Sequence, residues 1–435
     1  MPDIFSPVDH YSSLFAPAGD KRPLWLAPLQ RAAHSRFVEL GFPSRNDEEW
    51  RFTDVRPLAA IPFTPAPRVD ADSAAEKIEP FAFEDQHQIV FVNGRYEPAL
   101  SMIHADLPAG VIVTSLADAL QDHGSLLESH LGRYADFERQ PFIALNTAFL
   151  GEGAFIYLPR NVAVERPIHL LFFSTAADTP FATQARALVV AEENSQATIV
   201  ESYAGQSGAV YFTNAVTEVA LARNAVVDHY KLQRESDRAF HIAAMSVSLK
   251  RSSNFSSHNI TFGGAITRNE VNAALEDEHI ECTLNGLYLA DGDRIVDNHT
   301  AIDHAMPHCD SHEIYKGILD GRSRGIFNGK IFVRQDAQKT DAKQTNRTLL
   351  LSEDAQINTK PQLEIFADDV KCTHGATVGQ LDANQLFYLR SRGLPLQDAR
   401  ALLVYAFASD IVSRIKVAHI REVLDEQLLA RLPKR

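Results

Sequence analysis

The chain has 435 residues, 45% hydrophobic and 23% charged, and its 42 Lys+Arg against 56 Asp+Glu give a formal net charge of −14. That length exceeds what a single growing core supports, so either several domains or an elongated repeat is expected. The composition excludes a disordered chain, the net charge argues against non-specific nucleic-acid binding, and the three cysteines (282, 309 and 372) cannot form a disulfide framework.

From the N-terminus, Met1-Pro2-Asp3-Ile4-Phe5 lacks the basic stretch and apolar core of a leader. No apolar run approaches the ~20 residues that span a bilayer. The expected location is the cytoplasm, away from membranes. Residues 1–60 read as helical. Pro23 is placed to open a helix, Trp25, Leu29, Ala32, Ala33, Phe37 and Leu40 recur at helical spacing, and Gly41 is placed to end it. Asp47-Glu48-Glu49-Trp50-Arg51-Phe52-Thr53 follows as a charged segment carrying aromatics. Residues 62–80, rich in Pro, Ala and charge, read as a linker or loosely packed loop. Gln88 to Val92 reads as a strand, and Asn93-Gly94 as a tight turn. Leu116, Leu120, Leu126, Leu127 and Leu131 mark a helical lead-in over 115–150.

From Ala154 to Ala383 helical periodicity gives way to short strands separated by polar turns. Met245, Val247 and Leu249 alternate with serines, and Ile280, Cys282 and Leu284 alternate with polar residues, so one face of each strand is expected to be buried. A weak echo recurs about every thirty residues: Glu193-Asn194-Ser195, Arg223-Asn224-Ala225 and Ser253-Asn254-Phe255 each precede a strand. Asp336-Ala337-Gln338 recurs as Asp354-Ala355-Gln356. Turns at near-fixed spacing predict a solenoid of strands, a β-helix, although a sandwich or barrel fits the same strand lengths. Pro395 opens a final helical segment, where Ala399, Leu402, Leu403, Ala406, Phe407, Ile411 and Ile415 form one stripe and Ile420, Val423, Leu424 and Leu428 another. Such helices either cap the last turn of a solenoid or bind a partner. The resulting division is 1–110, a helical domain with linker; 111–385, the β-helix core; and 386–435, a C-terminal helical domain.

Two clusters carry chemistry. Asp303, His304, His308, Cys309, Asp310 and His312 form the densest set of metal-ligating side chains, and thiolate with imidazole suits zinc or iron. Their spacing matches no zinc finger or HExxH helix, and a polar turn with satisfied histidines is the favoured reading of them. Cys372 and His374, two apart on a strand, point to the same side and suit a metal or sulfur ligand pair, a nucleophilic pair, or a buried cysteine beside a structural histidine. Cys282 reads as core. No phosphate-binding loop, dinucleotide fingerprint or serine-hydrolase elbow is present, so any ATP would be handled by another chain.

These residues also resemble a known family. His304-x-x-Pro307-x-Cys309-x-Ser311, Lys316-Gly317-Ile318-Leu319, Gly325 to Lys330, Gln335 to Thr340, Asn346-Arg347 and Gln385 to Gly393 look like the signature of the SufB/SufD proteins of iron–sulfur cluster assembly. The resemblance spans roughly 150–415, and Glu48 to Thr53 is similar to the family's N-terminal element. Val370 to Gly379 resembles the SufD branch. The SufB branch has a cysteine in the segment corresponding to Phe387-Tyr388-Leu389, and here there is none. The resemblance implies a right-handed parallel β-helix between helical terminal domains, a non-enzymatic scaffold that pairs with SufB through the β-helix and docks the ABC-type ATPase SufC on its C-terminal helices. It implies that His374, with Cys372 beside it, holds a transient iron–sulfur cluster at the SufB interface. His304 and Cys309 stay candidate metal ligands. Reduced flavin in the complex, and a homodimer of the chain when alone, are left open. The competing readings are a β-helix polysaccharide-active enzyme and a SufB-like principal scaffold.

Overall fold

A computed structural model describes residues 5–19, 22–83 and 85–431; the opening tetrapeptide read above for a leader lies outside them. From residue 154 the chain winds into a parallel β-solenoid of about eight turns. Alternate strands of the solenoid separate into two sheets, each extended by short strands of the N-terminal region, and successive turns pair in parallel register. The partner of a residue lies 26 positions on in Phe240↔Ile266 and 33 on in Ala154↔Ala187.

The corners explain the thirty-residue echo. Asn161, Asn194 and Asn224 adopt φ of 62°, 58° and 57°, left-handed values that asparagine tolerates. Their side chains form a ladder, Asn194 Nδ2 donating to Asn161 Oδ1 at 2.8 Å and Asn224 Nδ2 to Asn194 Oδ1 at 2.9 Å. The next corner is Ser252 at φ 56°, two residues before the expected Asn254, which instead pairs with Val226 inside a strand. His279, His308 and Lys339 hold later left-handed corners. Asp336 and Asp354 belong to different turns: one precedes the strand Asp341–Leu350, the other follows it.

The space between the sheets is filled by alternate residues, among them Tyr203, Val227, Met245, Val247, Phe255, Cys282, Leu284, Tyr315 and Phe327. Outward residues are not uniformly wet. Ser246 and Ser248 are buried too, because the N-terminal region covers this part of the first sheet; Phe137 and Ala244 pack in one cluster with Ala135, Ile143 and Val216. That region contains the expected helix, Leu26–Leu40, ended by Gly41 at φ 64°. Residues 62–80 are not a loose linker. Thr64 and Pro65 pair with Phe181 and Ala182, and the helix Ala71–Ile78 buries Ala74 and Ile78 against Val90, Val92, Leu171 and Phe173. The charged segment 47–53 is a strap across the first sheet. Trp50 lies under the Arg268 guanidinium at 4.0 Å, and Thr53 Oγ1 donates to Asp297 Oδ2 at 2.6 Å.

The C-terminal helices do not cap the solenoid. Leu396–Val412 and Ala418–Arg431 lie along the outer face of the second sheet, packing Val404, Ala408, Ile411, Ile420, Leu424 and Leu428 against Leu232, Ile260, Leu287 and Ile318. Lys316 fixes the first of them, its Nζ 2.8 Å from Asp410 and 3.0 Å from the Phe407 carbonyl. The last turn is therefore left uncovered. Gln356–Ile365 ends the first sheet and Lys371–Gly379 ends the second, each paired on one side only among the described residues.

Candidate functional site at the open end

An uncovered terminal turn presents three things: two unpaired strand edges, apolar side chains, and the mouth of the interior. Phe366 is 59% exposed and Val378 47%. The Lys371 N–H donates to the Thr340 carbonyl. Parallel ladders alternate, so the N–H groups of Cys372, His374, Ala376 and Val378 point to the free edge.

Register places Cys372 and His374 on the inward-facing side of this last strand. Cys372 pairs with Ala342 and packs beside Ile331, Val333 and Leu363. It is half-buried, and that burial raises its thiol above the ordinary range. His374, two residues on, is exposed and pairs with Gln344. Behind Gln344 stands Glu313 in the same column, and behind that Leu284. Gln344 Nε2 donates to Glu313 Oε2 at 2.7 Å. Burial pushes the Glu313 carboxyl up to about 7, opposed by hydrogen bonds from Thr300 and Gln344. Deeper in, the Tyr315 and Phe327 rings, 5.1 Å apart, belong to the apolar interior. The column behind His374 thus begins with the polar pair Gln344 and Glu313, with the Tyr315 and Phe327 rings nearby.

The His304–His312 cluster is dispersed. His304 is buried and inward, its Nε2 2.9 Å from Ser311 Oγ, and burial lowers the imidazole to about 4. The Cys309 thiol donates to the Asp277 carbonyl at 3.1 Å, and burial pushes it up to about 11. Asp303 pairs outward with Arg334, and His308 stacks on His279 at a corner. No group of three or more His, Cys, Asp or Glu is arranged to hold a metal among the described residues. Cys282 is interior, as expected, with a thiol pushed up to about 12 by burial. Glu313 and Gln344 escaped the sequence reading. The available signal was their position in alternating strands, Gln344 one turn and Glu313 two turns before His374.

A solenoid with an open last turn offers a strand edge on which another strand can pair, here with a thiol and an imidazole at its mouth. Residues 172–407 match the family model described as SUF system FeS cluster assembly, SufBD core domain, and residues 20–170 match the SufBD protein N-terminal region. The chain belongs to the SufBD family of iron–sulfur cluster assembly proteins. An iron–sulfur cluster assembly SufBD family protein of Synechocystis sp. is 39% identical over 406 residues, 91% of this chain and 89% of the relative. The iron–sulfur cluster assembly protein SufD of Escherichia coli is 30% identical over 441 residues, 100% of this chain and 98% of that one. SufD of Bacillus subtilis is 27% identical over 416 residues, 93% of each.

Proposed function

We propose that this chain is the SufD-type scaffold subunit of an iron–sulfur assembly complex. It pairs with a SufB chain through the open last turn, docks the SufC ATPase on its C-terminal helices, and performs no ATP hydrolysis itself. The single observation that carries the reading is the open end: two free strand edges, with Cys372 and His374 set between them on the inward side. A strand edge is a template for another chain's strand, and a covered mouth would shield bound iron and sulfide from water. Two protein donors do not complete a cluster, so the cargo would take its main thiolates from SufB. Support for SufC docking comes from Ala383–Ser391, a helix capped by Asp382 with none of its residues buried and with Phe387 74% exposed. The cytoplasm is the proposed location; no described helix is long and apolar enough to cross a membrane.

His374→Ala tests the site. With SufB and SufC present under anaerobic reconstitution, the complex is expected to form normally while cluster affinity falls by more than the roughly 10–100-fold typical of losing a group behind a ligand. An unchanged cluster yield would remove His374 from the site.

A further inference from the structure

We infer that Gln344 is a positioning residue for His374, with Glu313 setting the direction of its amide. The inference rests on the reading of His374 as a cargo ligand.

Gln344 and Glu313 are 2% and 1% exposed, so neither side chain has solvent to satisfy it. The Gln344 NH₂ group donates to Glu313. With its carboxyl ionised Glu313 can only accept, and in that state the contact fixes which end of the amide faces it. The carbonyl end, Oε1, has no hydrogen-bond partner in the chain. A buried acceptor left unmade is costly, and a donor placed beside it is stabilising. The residue paired to Gln344 on the mouth side is His374. Neighbouring parallel strands lie about 4.8 Å apart, within reach of one imidazole rotation.

Gly329 supplies a second, independent observation. It lies on the opposite sheet, and a Cβ there would overlap the Gln344 amide. The backbone of that sheet is therefore shaped to admit this side chain in this place.

Once a partner covers the mouth, the His374 ring N–H meets Gln344 Oε1. The proton is then held on that nitrogen, and the other nitrogen keeps its lone pair for cargo. An imidazole ligand needs its second nitrogen bonded elsewhere to fix tautomer and orientation.

The test uses the metal-free three-chain complex, assembled with this chain alone carrying ¹⁵N-histidine. Magic-angle-spinning spectra assign His374 by its loss in His374→Ala. The wild type is expected to show one protonated and one unprotonated ring nitrogen. Gln344→Leu removes the acceptor and is expected to give a mixture of both tautomers. Glu313→Gln conserves volume, but its amide can donate to Oε1 and turn Gln344 round, so the same mixture is expected. This variant also decides the matter if Gln344→Leu fails to fold. Iron affinity should fall about 10-fold or more in both. A mixed tautomer in the wild type, or the wild-type tautomer kept unchanged in either variant, overturns the inference. If His374→Ala leaves cluster yield intact while Gln344→Leu still frees the tautomer, the positioning stands and the cargo reading falls. If His374→Ala abolishes the cluster and Gln344→Leu keeps one tautomer, the reverse holds.

Discussion

Glu218→Ala is expected to destabilise the chain by about 3–5 kcal/mol, the range for breaking a buried ion pair by removing one partner. Glu218 and Arg186 are both fully buried and directly paired. The Glu218 carboxylate also accepts from the Gly132 and Tyr134 N–H groups, each at 2.8 Å, and from Ala135 at 3.2 Å. Arg186 reaches Asn146 Oδ1 at 3.1 Å and Thr147 Oγ1 at 3.2 Å. One carboxylate thus holds residues 132–135 and, through Arg186, the helix Pro141–Ala148 against the solenoid. Alanine there leaves a guanidinium without its counter-charge and three N–H groups without acceptors. Denaturant midpoints measure the loss. The double variant Arg186→Met with Glu218→Leu removes the unpaired charge but not the three unmet N–H groups, and should recover only part of it. A loss below about 1 kcal/mol in the single variant, the ordinary worth of one neutral hydrogen bond, would contradict this account.

Ala376→Pro is expected to weaken pairing with SufB by roughly 30- to 150-fold while leaving the fold intact. The Ala376 N–H points to the free edge, whereas the N–H groups of Gly375 and Thr377 serve the ladder to Asp341–Leu350. Proline removes one edge donor, and its ring holds an incoming strand away from the neighbouring ones. Two or three edge hydrogen bonds at about 1 kcal/mol each correspond to that change in Kd. Circular dichroism and thermal melting should match the wild type. An unchanged Kd would mean that the free edge of this strand is not the pairing surface.

Much of the fold was legible because its signals are local. Gly41 ends a helix since its φ of 64° suits glycine, and Asn93 and Gly94 take the left-handed turn their sequence announces. The asparagine corners betrayed the solenoid for the same reason. The repeat faded after Asn224 because Ser252, His279, His308 and Lys339 occupy the same corner without any turn signature. The segment 62–80 misled because its prolines and charges conceal two buried residues, Ala74 and Ile78, on one helix face. At the candidate site, Cys372 and His374 stood out by chemistry. Glu313 did not, since a carboxylate in an alternating strand reads as solvent-facing, and only the register of three turns puts it behind Gln344 and His374. The open end was the least legible feature. An apolar stripe such as Ile411 and Ile415, or Ile420, Leu424 and Leu428, fits a flank as well as an end, and the choice depends on the complementary face offered by Leu232, Ile260 and Leu287.

Native mass spectrometry after co-expression with the cognate SufB and SufC tests the central claim most directly. The account predicts a complex containing all three chains. SufB and SufC pairing together while this chain stays outside the assembly would contradict it.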